Sequence, residues 1–146
     1  MGKQFARVVT LVVTGEIFAQ GLMATGTVAY LIDVTKGLGL SGALIMVVMT
    51  LFITVISIVM GSGNAPFFAF APLVPDFARE LGVSTILLIL PMQFATSLGR
   101  TVSPITGVIV AVAGCAGISP FEIVRRTAIP MAGALVATIV ATMIFV

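Results

Sequence analysis

The chain is 146 residues long; 60% are apolar, only 8% are charged, and the net charge is +2. A soluble domain carries about 25% charged residues, so an ordinary water-soluble fold is excluded, and so small and dispersed a positive charge gives nucleic acid no footprint. The absence of histidine excludes a histidine-based metal site, proton relay or general base, and the single Cys115 excludes an internal disulfide.

No Asp, Glu, Lys or Arg occurs in residues 37–75, 81–99, 101–121 or 127–146. A helix of about 20 apolar residues crosses the roughly 30 Å core of a bilayer, so these runs predict an all-α integral membrane protein, a single membrane domain over residues 1–146. Lys3 and Arg7 precede the first predicted span, 8–28, which is too long for a cleavable signal and lacks a small-residue cleavage site. Glu16 and Gln20 lie inside it, one turn apart on one face. Residues 29–40, with Asp33 and Lys36, are expected at the interface. The uncharged run 41–60 stops at Gly61-Ser62-Gly63-Asn64-Ala65-Pro66, and an aromatic, Pro-rich stretch leads to Asp76, Arg79 and Glu80. Residues 83–116 form an apolar run interrupted at Ser97-Leu98-Gly99-Arg100-Thr101-Val102-Ser103-Pro104. Ile118-Ser119-Pro120-Phe121-Glu122 reads as a helix start, with Ser119 as N-cap and Pro120 at the first helical position. Arg125 and Arg126 are expected to end that short helix, and 127–146 is the last span.

Two interruptions therefore fall within hydrophobic regions, at 61–66 and 97–104. An unpaired backbone group in lipid costs several kcal/mol, so irregular backbone at membrane depth is kept only where protein buries it or a wet cavity receives it. Charge asymmetry favours one of two topologies. If 41–60 crosses fully and the stretch through Glu80 stays outside, Arg125 and Arg126 fall across the membrane from Lys3 and Arg7, against the positive-inside tendency. If residues 41–80 instead form a re-entrant hairpin with its tip at 61–66, Lys3, Arg7, Arg125 and Arg126 share one side. Asp33, Lys36, Asp76, Arg79 and Glu80 share the other. The second arrangement puts the N-terminus in the cytoplasm and the C-terminus outside.

A hairpin tip facing a broken helix brings helix ends together. Half-helix N-termini suit an anion, and exposed carbonyls suit a cation such as Na⁺. Candidate substrate-binding residues are Ser62, Gly63, Asn64 and Ala65 at the tip, and Ser97, Gly99, Arg100, Thr101 and Ser103 in the break. Arg100 stands out, because a guanidinium in a membrane segment is expensive and its planar fork matches a carboxylate. Glu16, Ser62 and Asn64 are candidates for a coupling ion, Na⁺ or H⁺. Phe67, Phe68 and Phe70 read as packing residues. No catalytic residue, metal site or cofactor is expected.

The motifs Gly61-Ser62-Gly63-Asn64-Ala65-Pro66-Phe67-Phe68-Ala69-Phe70, Ser97-Leu98-Gly99-Arg100-Thr101-Val102-Ser103-Pro104, Val110-Ala111-Val112-Ala113-Gly114 and Ile118-Ser119-Pro120-Phe121-Glu122 resemble the C-terminal part of anaerobic C4-dicarboxylate carriers of the DcuC family. The resemblance covers essentially the whole chain but only about the last third of a typical member. It implies one inverted-repeat half of a secondary transporter, in which Ser62 to Ala65 form the hairpin tip and Ser97 to Pro104 the unwound segment. The related sodium symporters carry Ser-Asn-Thr where this chain has Ser-Gly-Asn-Ala, so the details of their sodium site do not carry over to these residues. The implied activity is exchange, uptake or efflux of succinate, fumarate or malate across a bacterial inner membrane by an elevator-type movement. The implied partners are the dicarboxylate, the bilayer, a missing N-terminal repeat and a second copy of the chain as a homodimer. On this reading the chain is incomplete for transport by itself. The competing readings are a channel-like or structural membrane subunit without carrier activity, and a related carrier for other organic anions. An intramembrane enzyme is disfavoured, for the chain offers no histidine, no paired acids and no base beside Cys115 in sequence.

Overall fold

A computed structural model describes residues 41–146 throughout and, of the first forty, positions 6, 9, 10, 13–15, 17, 18, 20, 21, 24–26, 30, 33, 34 and 37. Most of the predicted 8–28 span, with Glu16, lies outside the described residues, as do Lys3, Arg7 and Lys36. Among the described residues all regular structure is helical.

Helix α1 (Gly42–Met60) begins at Ser41, whose Oγ accepts from the Leu44 amide at 3.4 Å. It stops at Gly61, where φ is +63°, a left-handed conformation that a side chain disfavours and glycine adopts freely. The chain then doubles back through α2 (Asn64–Phe70), a 3₁₀ turn (Ala71–Leu73) and α3 (Val74–Leu81), so that Val83 packs against Gly42 at the foot of α1. Pro66, Pro72 and Pro75 punctuate this returning arm, each near the start of a short helical piece where a missing N–H is cheap. Phe70 packs edge-on against Phe52 of α1 (centroids 5.6 Å apart) and Phe18 of the first segment (6.1 Å), so the aromatic cluster is packing.

Helix α4 (Thr85–Thr101) is capped by Ser84 and runs parallel to α1: Leu87 lies near Gly42 at one end and Gly99 against Thr54 and Ser57 at the other. Pro91 sits inside α4, buried, without ending it. The backbone leaves the helix at Val102 and resumes as α5 (Gly107–Ala116), which closes on Gly117. The sequence places this interruption at 97–104, whereas helix persists to Thr101. The hydroxyls of Ser97 and Thr101 donate back to the carbonyls of Gln93 and Leu98, an arrangement that helix accommodates. The tip is likewise shorter than 61–66, because α2 begins at Asn64 and only Gly61, Ser62 and Gly63 stand outside helix.

Helix α6 (Pro120–Phe145) starts at Ser119, whose Oγ accepts from the Phe121 amide at 3.3 Å. It is one continuous helix where the sequence suggests a short helix ending at Arg126 and a separate span. Arg125 and Arg126 are good helix formers, and Pro130 removes a single N–H without breaking the helix. α6 runs antiparallel to α4, with Thr127 beside Thr101 and Leu135 and Ile139 against the core.

That core runs from the foot of the bundle up to the junction end: Ile45, Met46 and Ile53 of α1, Leu73, Val74, Phe77 and Ala78 of the returning arm, and Leu88, Met92 and Ala95 of α4. Helices α1 and α6 are long and apolar enough to cross a membrane. A buried core helix passes the same test, but Ile129 is 79% exposed and Ile144 69%. So apolar an outer face is tolerated by lipid and not by water.

Candidate functional site

At the end of the bundle opposite the foot, the tip after α1 meets the interruption between α4 and α5. The contact is made by backbone. A Cβ on Gly63 would stand 2.8 Å from the Thr96 carbonyl oxygen and 3.2 Å from Cδ of Arg100, so only a hydrogen fits there. A Cβ on Gly99 would stand 2.8 Å from the Thr54 carbonyl oxygen and 2.9 Å from Cβ of Ser57. Both glycines let helix α4 approach the tip and α1 to backbone distance.

Thr106 links the two interruptions. Its hydroxyl lies 2.7 Å from the carbonyl oxygen of Arg100 and 3.3 Å from that of Gly61, 45 residues away in sequence. Ile105 packs over Gly61. The interruption itself is held as a run of tight turns, with the Val102 amide donating to Gly99, Ser103 to Arg100 and Thr106 to Ser103. Beyond it, the Thr127 hydroxyl of α6 approaches the carbonyls of Thr101 (3.4 Å) and Val124 (3.2 Å).

The structure brings Gly63, Gly99, Arg100 and Ser103 of the sequence candidates to this junction. Ser62 is half-buried, and its Oγ accepts a long 3.5 Å hydrogen bond from the Ala65 amide. Asn64 is exposed at the first position of α2. Ser97 and Thr101 are exposed, and their hydroxyls are taken by carbonyls of their own helix. Arg100 is exposed in the last turn of α4, where the helix dipole favours a cation. Among the described residues no ion pair engages it, the one such pair being Asp76 with Arg79 at 3.6 Å. Glu16 lies outside the described residues, and among these no group of His, Cys, Asp and Glu could hold a metal.

Sequence reasoning missed Ser57 and Thr106. Ser57 is fully buried on the stripe Met46, Thr50, Ile53, Ser57, the face that α1 turns inward. Its spacing of four from Gly61 placed it one turn before the tip, which was a readable signal. The side-chain oxygens of Ser57 and Ser103 are both buried with no hydrogen-bond partner. An unsatisfied buried hydroxyl costs about 1–3 kcal/mol, so two of them beside one junction mark it as chemically unfinished.

Chemically, the junction gathers the C-terminal ends of α1 and α4, whose carbonyls favour a cation, and against them the starts of α2 and α5, the exposed guanidinium of Arg100 and two idle hydroxyls, which favour an anion. It can offer directed donors to an anion of modest size.

No solved structure matches the chain. The anaerobic C4-dicarboxylate transporter DcuC of Escherichia coli K12 is 44% identical over 146 residues, covering all of this chain and 32% of that protein. The DcuC protein of Vibrio cholerae matches with the same identity and coverage. A Haemophilus influenzae protein described as a transporter is 35% identical over 128 residues, covering 88% of this chain and 45% of its own length. The chain thus spans about a third of the length of its DcuC relatives. The profile of the C4-dicarboxylate anaerobic carriers matches residues 1–146, and the chain belongs to that family.

Proposed function

We propose that the chain supplies one half of a secondary carrier for C4-dicarboxylates, with the tip at residues 61–63 and the interruption at 102–106 forming part of the anion site around Arg100. The observation that carries this reading is the close approach of Gly63 to the Thr96 carbonyl and to Cδ of Arg100. It sets the one arginine of the junction beside a turn that carries no side chain at Gly63, the point of contact.

Residues 41–81 act as a re-entrant hairpin. The out-and-back course of the chain supports this, as does the charge pattern. Asp76, Arg79 and Glu80 lie toward the foot of α1, where Val83 meets Gly42, while Arg125 and Arg126 lie beyond the junction, on the part of α6 beside α5. With the arginine-bearing end in the cytoplasm, as the positive-inside tendency directs, the hairpin opens outward in the bacterial inner membrane and the C-terminus ends outside. About 10 Å of helix separates Pro120 from Thr127 and about 27 Å separates Thr127 from Phe145, so the site lies in the cytoplasmic half of α6, between its end and its middle. A second, inverted repeat supplies the facing half of the site, and the carrier works as a homodimer. Neutral oxygens at the tip admit Na⁺ as coupling ion, whereas Glu16 admits H⁺.

The test is a carrier in which these 146 residues replace the matching segment of the E. coli relative, reconstituted in proteoliposomes. Arg100→Ala is expected to lower succinate uptake by 100-fold or more with membrane insertion intact, since removing one partner of a desolvated charge pair costs about 2–5 kcal/mol. Arg100→Lys keeps the charge without the planar fork and is expected to restore only part of the uptake. Parental uptake kinetics in Arg100→Ala would remove the arginine from the site.

A further inference from the structure

The hydroxyls in the helices of this chain follow one habit, and Ser57 departs from it. Thr50 and Thr54, on the same helix as Ser57, donate to the carbonyls of Met46 and Thr50 at 2.7 Å. Thr138 and Thr142 of α6 do the same at 2.8 Å. Ser57 has the Ile53 carbonyl at that same offset and leaves it unused; its side chain is turned to α4, with Cβ against Gly99. Ser103 sits just past the end of α4, fully buried, where the nearby Arg100 carbonyl already receives the Thr106 hydroxyl and the Ser103 amide. Its own hydroxyl is likewise unspent. The two serines thus stand on facing elements, each within about a turn of the tip and the interruption.

We infer that Ser57 and Ser103 are the inner hydrogen-bond donors of the anion site, meeting a carboxylate oxygen of the bound substrate when the tip and the interruption part. This assignment rests on the carrier reading above. A cationic neighbour favours an anion over a cation: Arg100 lies three residues before Ser103 and directly follows Gly99, against which Ser57 packs. A hydroxyl donating to a carboxylate forms a charge-assisted bond, stronger than the neutral bonds made elsewhere in these helices. Parting is local. Helix α1 ends at Met60 and α4 at Thr101, just beyond the two contacts, and the Thr106 hydroxyl bridges the gap to Gly61 at only 3.3 Å. Ligand binding then satisfies two hydroxyls that the closed junction leaves idle.

The same proteoliposome carrier tests this with Ser57→Ala and Ser103→Ala, each of which removes one oxygen and little volume. The KM for succinate is expected to rise about ten-fold in either variant, with kcat within two-fold of the parent. The melting temperature of the ligand-free protein is expected to stay level or rise, because a buried hydroxyl without a partner is removed. An unchanged KM in both variants overturns the inference. So does a lower melting temperature, which would show that the hydroxyls hold the fold together. Parental protein that takes up no dicarboxylate overturns the carrier reading and this inference together, whereas normal parental uptake with unaltered variants overturns this inference alone.

Discussion

The two ends of the α1–α4 pair are built to opposite rules. At the foot, Ile45, Met46, Phe77 and Leu88 interlock as large apolar side chains, and Ser84 caps α4 beside them. At the junction the contacts run through glycine, carbonyl oxygens and hydroxyls, two of which have no partner. Side-chain packing fixes the first end in one arrangement. The second is held by close backbone approach and one weak side-chain bridge, which suits a place that must admit and release something. Stability and recognition are thereby separated along the length of the same two helices.

Three substitutions in the same reconstituted carrier would break or sharpen that contrast. The largest effect is expected from Gly99→Leu, which thrusts a side chain into the Thr54 carbonyl and Ser57. Overpacking of this kind costs about 3 kcal/mol, and succinate uptake should vanish while the foot still assembles, as limited proteolysis of the α2–α3 arm would report. Met92→Ala attacks the apolar core, one turn before Thr96. It is expected to cost about 2 kcal/mol, the low end for a buried methionine, because lipid tails replace water as the alternative surroundings. Its melting temperature should fall while the KM for succinate holds, and a changed KM would show that core and junction are not independent. Thr106→Val is the mildest. Loss of one hydrogen bond costs about 1 kcal/mol, so uptake should change only a few-fold, through kcat, since the bond spans the gap that must open.

Much of this could be read from residue types. Gly61 ends α1 because it is the one residue there at ease with positive φ, and Ser119-Pro120 opens α6 because a capping hydroxyl and a ring with preset φ stand together. The DcuC resemblance rested on such punctuation and is matched by the family profile over the whole chain. Other features were not legible. Ser97 and Thr101 look like helix breakers in a list of residues, yet hydroxyls that bond back along the helix let it continue to Thr101. Ser57 passes for one more small residue in an apolar run until the packing of Gly99 shows which way it faces. The continuity of α6 through Arg126 likewise depends on both arginines being exposed, which charge alone does not reveal.

Thr106 has one proton to give and two carbonyl oxygens within reach, those of Arg100 and Gly61. A hydroxyl serves one acceptor well at a time, so the oxygen it neglects keeps a lone pair for another donor. Whichever carbonyl the hydroxyl leaves becomes the better acceptor for water or another donor. A rotation about one side-chain bond is thus enough to exchange the roles of the two helix ends.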